Sequence, residues 1–256
     1  MSFASLRMQV ARPHAGPAEL AAVIVLYVAY EVFRGFGDAS LDVARAHTAD
    51  IVALERAVGI FGERAVQAWA AGIPGLPTFL GLAYVSMHLG ATAVALVWLH
   101  RSHRSTFAVV RTTLIVSTAV ALVVYVLYPA APPRLSGFGF ADTVTAHTHV
   151  NLSSDVLGSL YNPLAAVPSL HFGYALLVGV AVAARASRLP VRLLGAAYPP
   201  FMLFDIVATG NHFVFDAAAG ALVVGLAWWL ATRLIPRCAT LTGTVSLNGC
   251  GPAVGG

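Results

Sequence analysis

From residue 76 onward the chain alternates long apolar runs with loops, two of which, at about 100–104 and 185–192, are short and rich in arginine. Such runs occupy about 76–100, 105–128, 167–185, 190–208 and 211–235, and an earlier one occupies about 18–35. A spanning helix needs roughly 20 consecutive apolar residues, and a membrane helix satisfies all its backbone polar groups internally. The 256 residues are 58% hydrophobic and only 10% charged, whereas a soluble domain carries about a quarter charged. The expected fold is therefore all-α: a polytopic membrane protein with a six-transmembrane helix bundle. It forms a single domain over 1–240, with a glycine-rich, disordered tail at 241–256. The first run lacks the small-x-small cleavage site of a signal peptide after Tyr30, so it reads as a membrane helix.

One stretch breaks the pattern. Across Leu41–Trp69 the residues Leu41, Ala44, Ile51, Leu54, Val58 and Phe61 recur at three- and four-residue steps. Asp42, Arg45, Asp50, Glu55, Arg56, Glu63 and Arg64 fill the other faces. This spacing predicts an amphipathic helix at the membrane interface between the first and second spans, interrupted near Gly59–Gly62.

All 15 basic residues are arginine. With six spans, Arg7, Arg12, Arg101, Arg104, Arg111, Arg185, Arg188, Arg192, Arg233 and Arg237 fall on one side of the membrane. The other side dilutes its arginines with carboxylates from Asp38 to Asp155. Arginine bias sets orientation, so both termini are expected in the cytoplasm of an integral plasma (inner) membrane protein. The same distribution argues against a nucleic-acid surface. Cys238 and Cys250 have neither zinc-ligand spacing nor enough partners for a disulfide framework.

Two segments carry chemistry. Residues 161–173 read YNPLAAVPSLHFG, and residues 209–220 read TGNHFVFDAAAG. Pro168 suits a first helical turn, which would place Ser169 and His171 where free N–H groups and the helix dipole favour an anion. His212 and Asp216, four apart, would share a helix face. Arg134 follows Pro132-Pro133 at the head of the longest loop, 129–166, and the topology brings it to the outer face with His171 and His212. Tyr84 and His88 lie one helical turn apart on the second span. Ionisable residues inside a span are expensive, which marks His88 and Asp205 as well. Asp142 favours a turn in the loop, and His147 and His149 read as solvated loop residues. Gly173, Gly179, Gly220 and Gly225 read as close helix packing.

PSLHFGYA followed by HFVFD resembles the second and third signatures of the type-2 phosphatidic acid phosphatase superfamily. The loop opening YPAAPPR is similar to that of its inositolphosphotransferase-like branch, which includes inositol phosphorylceramide synthases. The resemblance covers most of Leu76–Leu234 and implies a lipid phosphatase or phosphotransferase that works through a phosphohistidine intermediate without a metal or other cofactor. It implies that His212 attacks phosphorus, that Asp216 orients His212, and that His171 protonates the leaving oxygen. Ser169 and Arg134 would hold phosphate oxygens. Two cations of the classical members are absent: Leu127 stands seven residues before Arg134, and Asp205-Ile206 replace a Ser-Arg pair before His212. The branch lacks them too. Candidates to make up their charge are Tyr84, His88, Asn162 and Asn211.

The implied partners are a lipid phosphate or phospholipid head group, a lipid or polyol acceptor, and the bilayer itself, with an extracytoplasmic site. Two other classes stay open at this point: a six-span transporter of a polar solute and a non-catalytic lipid-binding protein. The transporter predicts ionisable residues along a path through the membrane, whereas here they gather at one end.

Overall fold

The computed structural model describes residues 28, 40–148, 150 and 162–235. Every regular element among them is helical, apart from one isolated bridge between Ala130 and Ala165. Except for residue 28, the expected first span at 18–35 lies outside the described residues, as do the tail at 241–256, His149 and Asp155.

Helix α1 (Leu41–Ala57) opens on Ser40, whose hydroxyl accepts the Val43 N–H at 3.2 Å. It ends where Gly59 takes φ 77, and α2 (Glu63–Ala71) resumes after Gly62, so the interruption falls at the glycines. The buried face differs from the expected stripe. Ala44, Thr48, Ile51, Val52 and Glu55 are inside, while Leu41, Leu54 and Val58 are exposed. The reason is what α1 packs against, which is irregular backbone in need of hydrogen bonds. Thr48 Oγ1 donates to the Ala131 carbonyl at 2.8 Å, and Arg45 Nε donates to the Leu135 carbonyl at 2.8 Å.

Among the described residues, four helices are long and apolar enough to cross a membrane: α3 (Leu76–Ser102), α4 (Arg104–Leu127), α7 (Leu189–Ala208) and α8 (Val214–Leu234). The shorter α6 (Leu170–Arg185) has 16 residues. Val94, Leu127 and Leu194 are 70%, 75% and 70% exposed. Scattered broadly over these helices, such residues mark a lipid-facing surface. The protein is an integral membrane protein.

Helix α6 is the hub, packed on α3, α4, α7 and α8. Small residues let the backbones approach. A Cβ on Gly179 would stand 2.7 Å from the Gly195 carbonyl of α7 and 2.8 Å from Pro199 Cδ. Helix α7 continues through Pro199 and Pro200. At the other end of α6, the Ser169 N–H donates to the Asp216 carbonyl of α8 at 2.9 Å.

The long loop is partly helical, with a 3₁₀ turn at Pro133–Leu135 and α5 (Thr143–Thr148) packed on α3. Its two ends are clipped together. The Ala130 N–H donates to the Leu164 carbonyl at 2.9 Å, and the Ala166 N–H donates back to the Ala130 carbonyl at 3.3 Å. That clip returns the chain to the start of α6.

A Cβ on Gly220 would lie 2.2 Å from the Ser169 carbonyl, which is backbone and cannot yield. Gly220→Ala is expected to lower stability by about 1–3 kcal/mol through overpacking. Gly225→Ala, which meets nothing within 4 Å, is the control and should be neutral or better. Thermal unfolding in detergent reads both, and equal midpoints would contradict the packing.

Candidate active site

The turn between α7 and α8 sets the geometry. Gly210 has φ 72, and a Cβ there would lie 2.6 Å from Gln67 Nε2 and 2.8 Å from the Ala141 carbonyl, so this corner requires glycine. The Asn211 and His212 N–H groups both donate to the Ile206 carbonyl at 3.0 Å. His212 therefore stands before α8, whose N-cap is Phe213, rather than on a shared helix face. Asp216 reaches it nonetheless. Asp216 Oδ2 accepts the Phe213 N–H at 2.9 Å and faces His212 Nδ1 at 3.3 Å. The Ala166 carbonyl is nearer still to Nδ1, at 3.0 Å. Both partners are acceptors, so Nδ1 carries a proton, and in the neutral ring Nε2 is the nitrogen with the lone pair.

The start of α6 also departs from expectation. Pro168 precedes the helix, and its carbonyl accepts the Tyr125 hydroxyl at 2.8 Å. Ser169 is the N-cap, and its Oγ accepts the Phe172 N–H at 3.4 Å, leaving its own hydroxyl proton to donate. The Leu170 and His171 N–H groups are first-turn donors with no intrahelical partner. The His171 and His212 ring centroids are 5.7 Å apart, and the rings are tilted by 49°.

Tyr84 and His88 are brought to the site, but as ring partners. Tyr84 stacks on His171 at 4.3 Å, and His88 stacks on it at 4.1 Å. Tyr174 follows His88 at 5.2 Å, and its hydroxyl hydrogen-bonds Thr118 Oγ1. Buried His88 Nδ1 has no hydrogen-bond partner among the described residues.

Arg134 is 8% exposed. Its N–H donates to the Gly210 carbonyl at 2.9 Å, and its Nη1 donates to Asn211 Oδ1 at 2.5 Å. Asp142 Oδ2 lies 3.7 Å from its Nε, an ion pair too long for a hydrogen bond. Nη2 is buried and meets no acceptor among the described residues. The charge lies within electrostatic range of His171. Asn211 also donates to Thr209 Oγ1 at 2.9 Å, so it orients the arginine rather than offering itself to a ligand. Asn162 Oδ1 accepts the Leu164 N–H at 2.9 Å and shapes the turn that delivers Ala166. Asp142 does fix its loop, since Oδ1 accepts the Thr145 N–H at 3.1 Å.

Leu127, at the spacing of the classical lysine, is 75% exposed, and Ile206 is buried in the core. Asp205 is fully buried, and neither carboxyl oxygen has a donor among the described residues. Among the same residues, no group of three His, Cys, Asp or Glu side chains gathers to hold a metal ion.

Sequence reasoning missed two residues. Glu55 and Glu63 are 0% and 1% exposed and reach the first turn of α8. The periodicity did contain a signal, because Glu55 follows buried Ile51 by four residues and Val52 by three.

These features define a membrane-embedded helical bundle that gathers a histidine pair, a carboxylate and a buried arginine at one end. The pattern of the PAP2 superfamily matches residues 49–230, and the chain belongs to that family. A search of curated proteins finds no match. Among solved structures, the crystal structure of Aquifex aeolicus LpxE is 14% identical, covers 66% of this chain and 93% of its own, and has a TM-score of 0.47.

The arginine geometry can be tested with an anion alone. Arg134→Lys keeps the charge but loses the forked donors that contact Asn211 and leave Nη2 free. Its affinity for orthovanadate should fall roughly tenfold or more, the loss of one charge-assisted bond, at unchanged thermal stability. Unaltered affinity would leave Arg134 a structural residue that ties its loop to Gly210 and Asn211.

Proposed function

We propose that this protein is a membrane phosphatase or phosphotransferase that acts on lipid phosphates or phospholipid head groups through a phosphohistidine intermediate. The observation that carries the reading is His212 itself. Two acceptors fix its Nδ1 proton, and Nε2 is left with a lone pair, while the Arg134 Nη2 donor is buried without an acceptor among the described residues.

In the first step Nε2 of His212 attacks phosphorus. The bond from phosphorus to the leaving oxygen breaks, and protonated His171 gives that oxygen a proton. Asp216 stabilises the imidazolium as it forms, the part of a third group in a triad. In the second step a hydroxyl attacks phosphorus and passes its proton to His171, and the P–N bond breaks to restore His212. That hydroxyl belongs to water in hydrolysis, or to a lipid or polyol in transfer. The YPAAPPR loop opening favours transfer. Arg134, the Ser169 hydroxyl and the N–H groups of the α6 first turn hold the phosphate oxygens and balance charge as it develops. Tyr84 and His88 keep the His171 ring in place, and no metal takes part.

The wider arrangement belongs to the same reading. Residues 18–35 and α6 complete six spans, α1 lies at the interface, and the domain closes near residue 240. The arginine distribution puts both termini in the cytoplasm and the site on the outer face of the plasma membrane.

The test is to incubate purified protein with a panel of lipid phosphates and with phosphatidylinositol, with and without ceramide, and to follow the products. His212→Ala should abolish turnover, and Asp216→Asn should retain a residue lower by a factor on the order of 10⁴, as in other triads. Full activity in both variants would dismiss the constellation. Turnover should also survive EDTA; activity lost in chelator and restored by magnesium would overturn the metal-free mechanism.

A further inference from the structure

Two carboxyl groups outside the histidine set bear directly on it. Glu55 lies in the last turn of α1, and Glu63 is the first residue of α2. Glu63 Oε1 accepts the Val214 N–H at 3.1 Å, and Glu55 Oε1 accepts the Phe215 N–H at 2.7 Å. Asp216 Oδ2 already holds the Phe213 N–H at 2.9 Å. The three consecutive amides that follow His212 thus each end on a carboxyl oxygen. The positive end of α8 is occupied, whereas the first turn of α6 keeps its donors for an anion.

The other two oxygens, Glu55 Oε2 and Glu63 Oε2, are buried with no donor among the described residues. The two carboxyls are close enough to interact. Facing carboxylates in a buried site cannot both ionise cheaply. A single proton between them would give both orphaned oxygens a partner.

We propose that Glu55 and Glu63 are positioning residues for His212, a carboxyl pair that shares one proton and clamps the turn on which the histidine stands. The inference rests on reading His212 as the attacking group. Neither glutamate bonds the ring. They act through the Val214 and Phe215 amides, holding Nε2 on line with a phosphate bound at α6. Distance errors of an ångström in such a group cost rate rather than binding.

The pair carries a pH dependence. Burial raises the Glu55 carboxyl from 4.5 to about 8; the Phe215 N–H opposes this, and Glu63 and Asp216 add to it. The charged groups facing it are Glu63 of α2 and Asp216 of α8, while Arg56, next in sequence, lies over the Phe61 ring at 4.8 Å. Because the folded state holds this proton more tightly than the unfolded chain, the stabilisation is complete below about pH 4.5 and declines as pH rises to about 8. Above that, the folded pair ionises, its carboxylates repel, and the clamp loosens.

The experiment combines amide exchange over residues 210–217 with pH profiles of kcat and KM. It compares the wild-type protein with Glu55→Ala and Glu55→Gln. In Glu55→Ala the Val214 and Phe215 amides should exchange at least roughly tenfold faster, and kcat should fall by a similar factor with KM little changed. Glutamine keeps an acceptor for Phe215, donates to Glu63, and has no proton to lose. Glu55→Gln should therefore recover most of the turnover lost in Glu55→Ala and flatten the fall that the wild type shows above pH 8. Wild-type exchange in Glu55→Ala, or an unaltered alkaline fall in Glu55→Gln, overturns the clamp. A wild-type protein that turns over no lipid phosphate overturns the phosphotransfer reading instead, and the exchange result then decides the clamp independently.

Discussion

The site depends on one joint, where the start of α6 meets the first turn of α8. The Ser169 N–H binds the Asp216 carbonyl, and the glycine at 220 lets the Ser169 carbonyl come into contact. These contacts fix one helix against the other at the level of the histidines. His171 leaves from the first turn of α6, and His212 leaves from the corner that feeds α8, so the 5.7 Å between their rings follows from the joint. Side chains alone would be too compliant to hold that spacing. Backbone pressed on backbone is not.

Charge is sorted by helix end around this joint. Carboxyl oxygens crowd the amides of α8, and the arginine turns toward His171 at α6. In a low-dielectric surrounding this separation matters more than in water. An anion approaching α8 would meet three acidic groups, while one approaching α6 would meet open donors and a guanidinium. Asn211 and Asp142 hold the arginine in place, so its burial is compensated on two sides while Nη2 stays uncommitted among the described residues.

Hydropathy made the bundle legible, because lipid tolerates so few backbone solutions. The apolar runs ending near Leu127, Ala208 and Leu234 match their helices to within a few residues. The histidines and Asp216 were legible as a set, since their spacing and neighbours recur in a family. What escaped was everything that depends on which backbone sits opposite. Glu55 reads as the outer face of an amphipathic helix, yet it turns inward because an α8 amide awaits it, as Thr48 turns inward to a loop carbonyl. Asn211 and Asn162 read as ligands because both are polar and close to the motifs. In the folded chain Asn211 bonds Arg134 and Thr209, and Asn162 bonds the Leu164 amide of its own turn. Periodicity reports a face, not the chemistry that the face meets.

The length of α6 has a geometric consequence. At about 1.5 Å per residue, its 16 residues reach about 24 Å, against a hydrocarbon thickness of roughly 30 Å. On the proposed topology, with α6 as a span and Arg185 at one surface, the Ser169 end stops about 6 Å short of the opposite boundary. On the same reading that end lies in a recess below the level of the lipid glycerols, and the bilayer must dip, or a head group must descend, for phosphorus to arrive at His212.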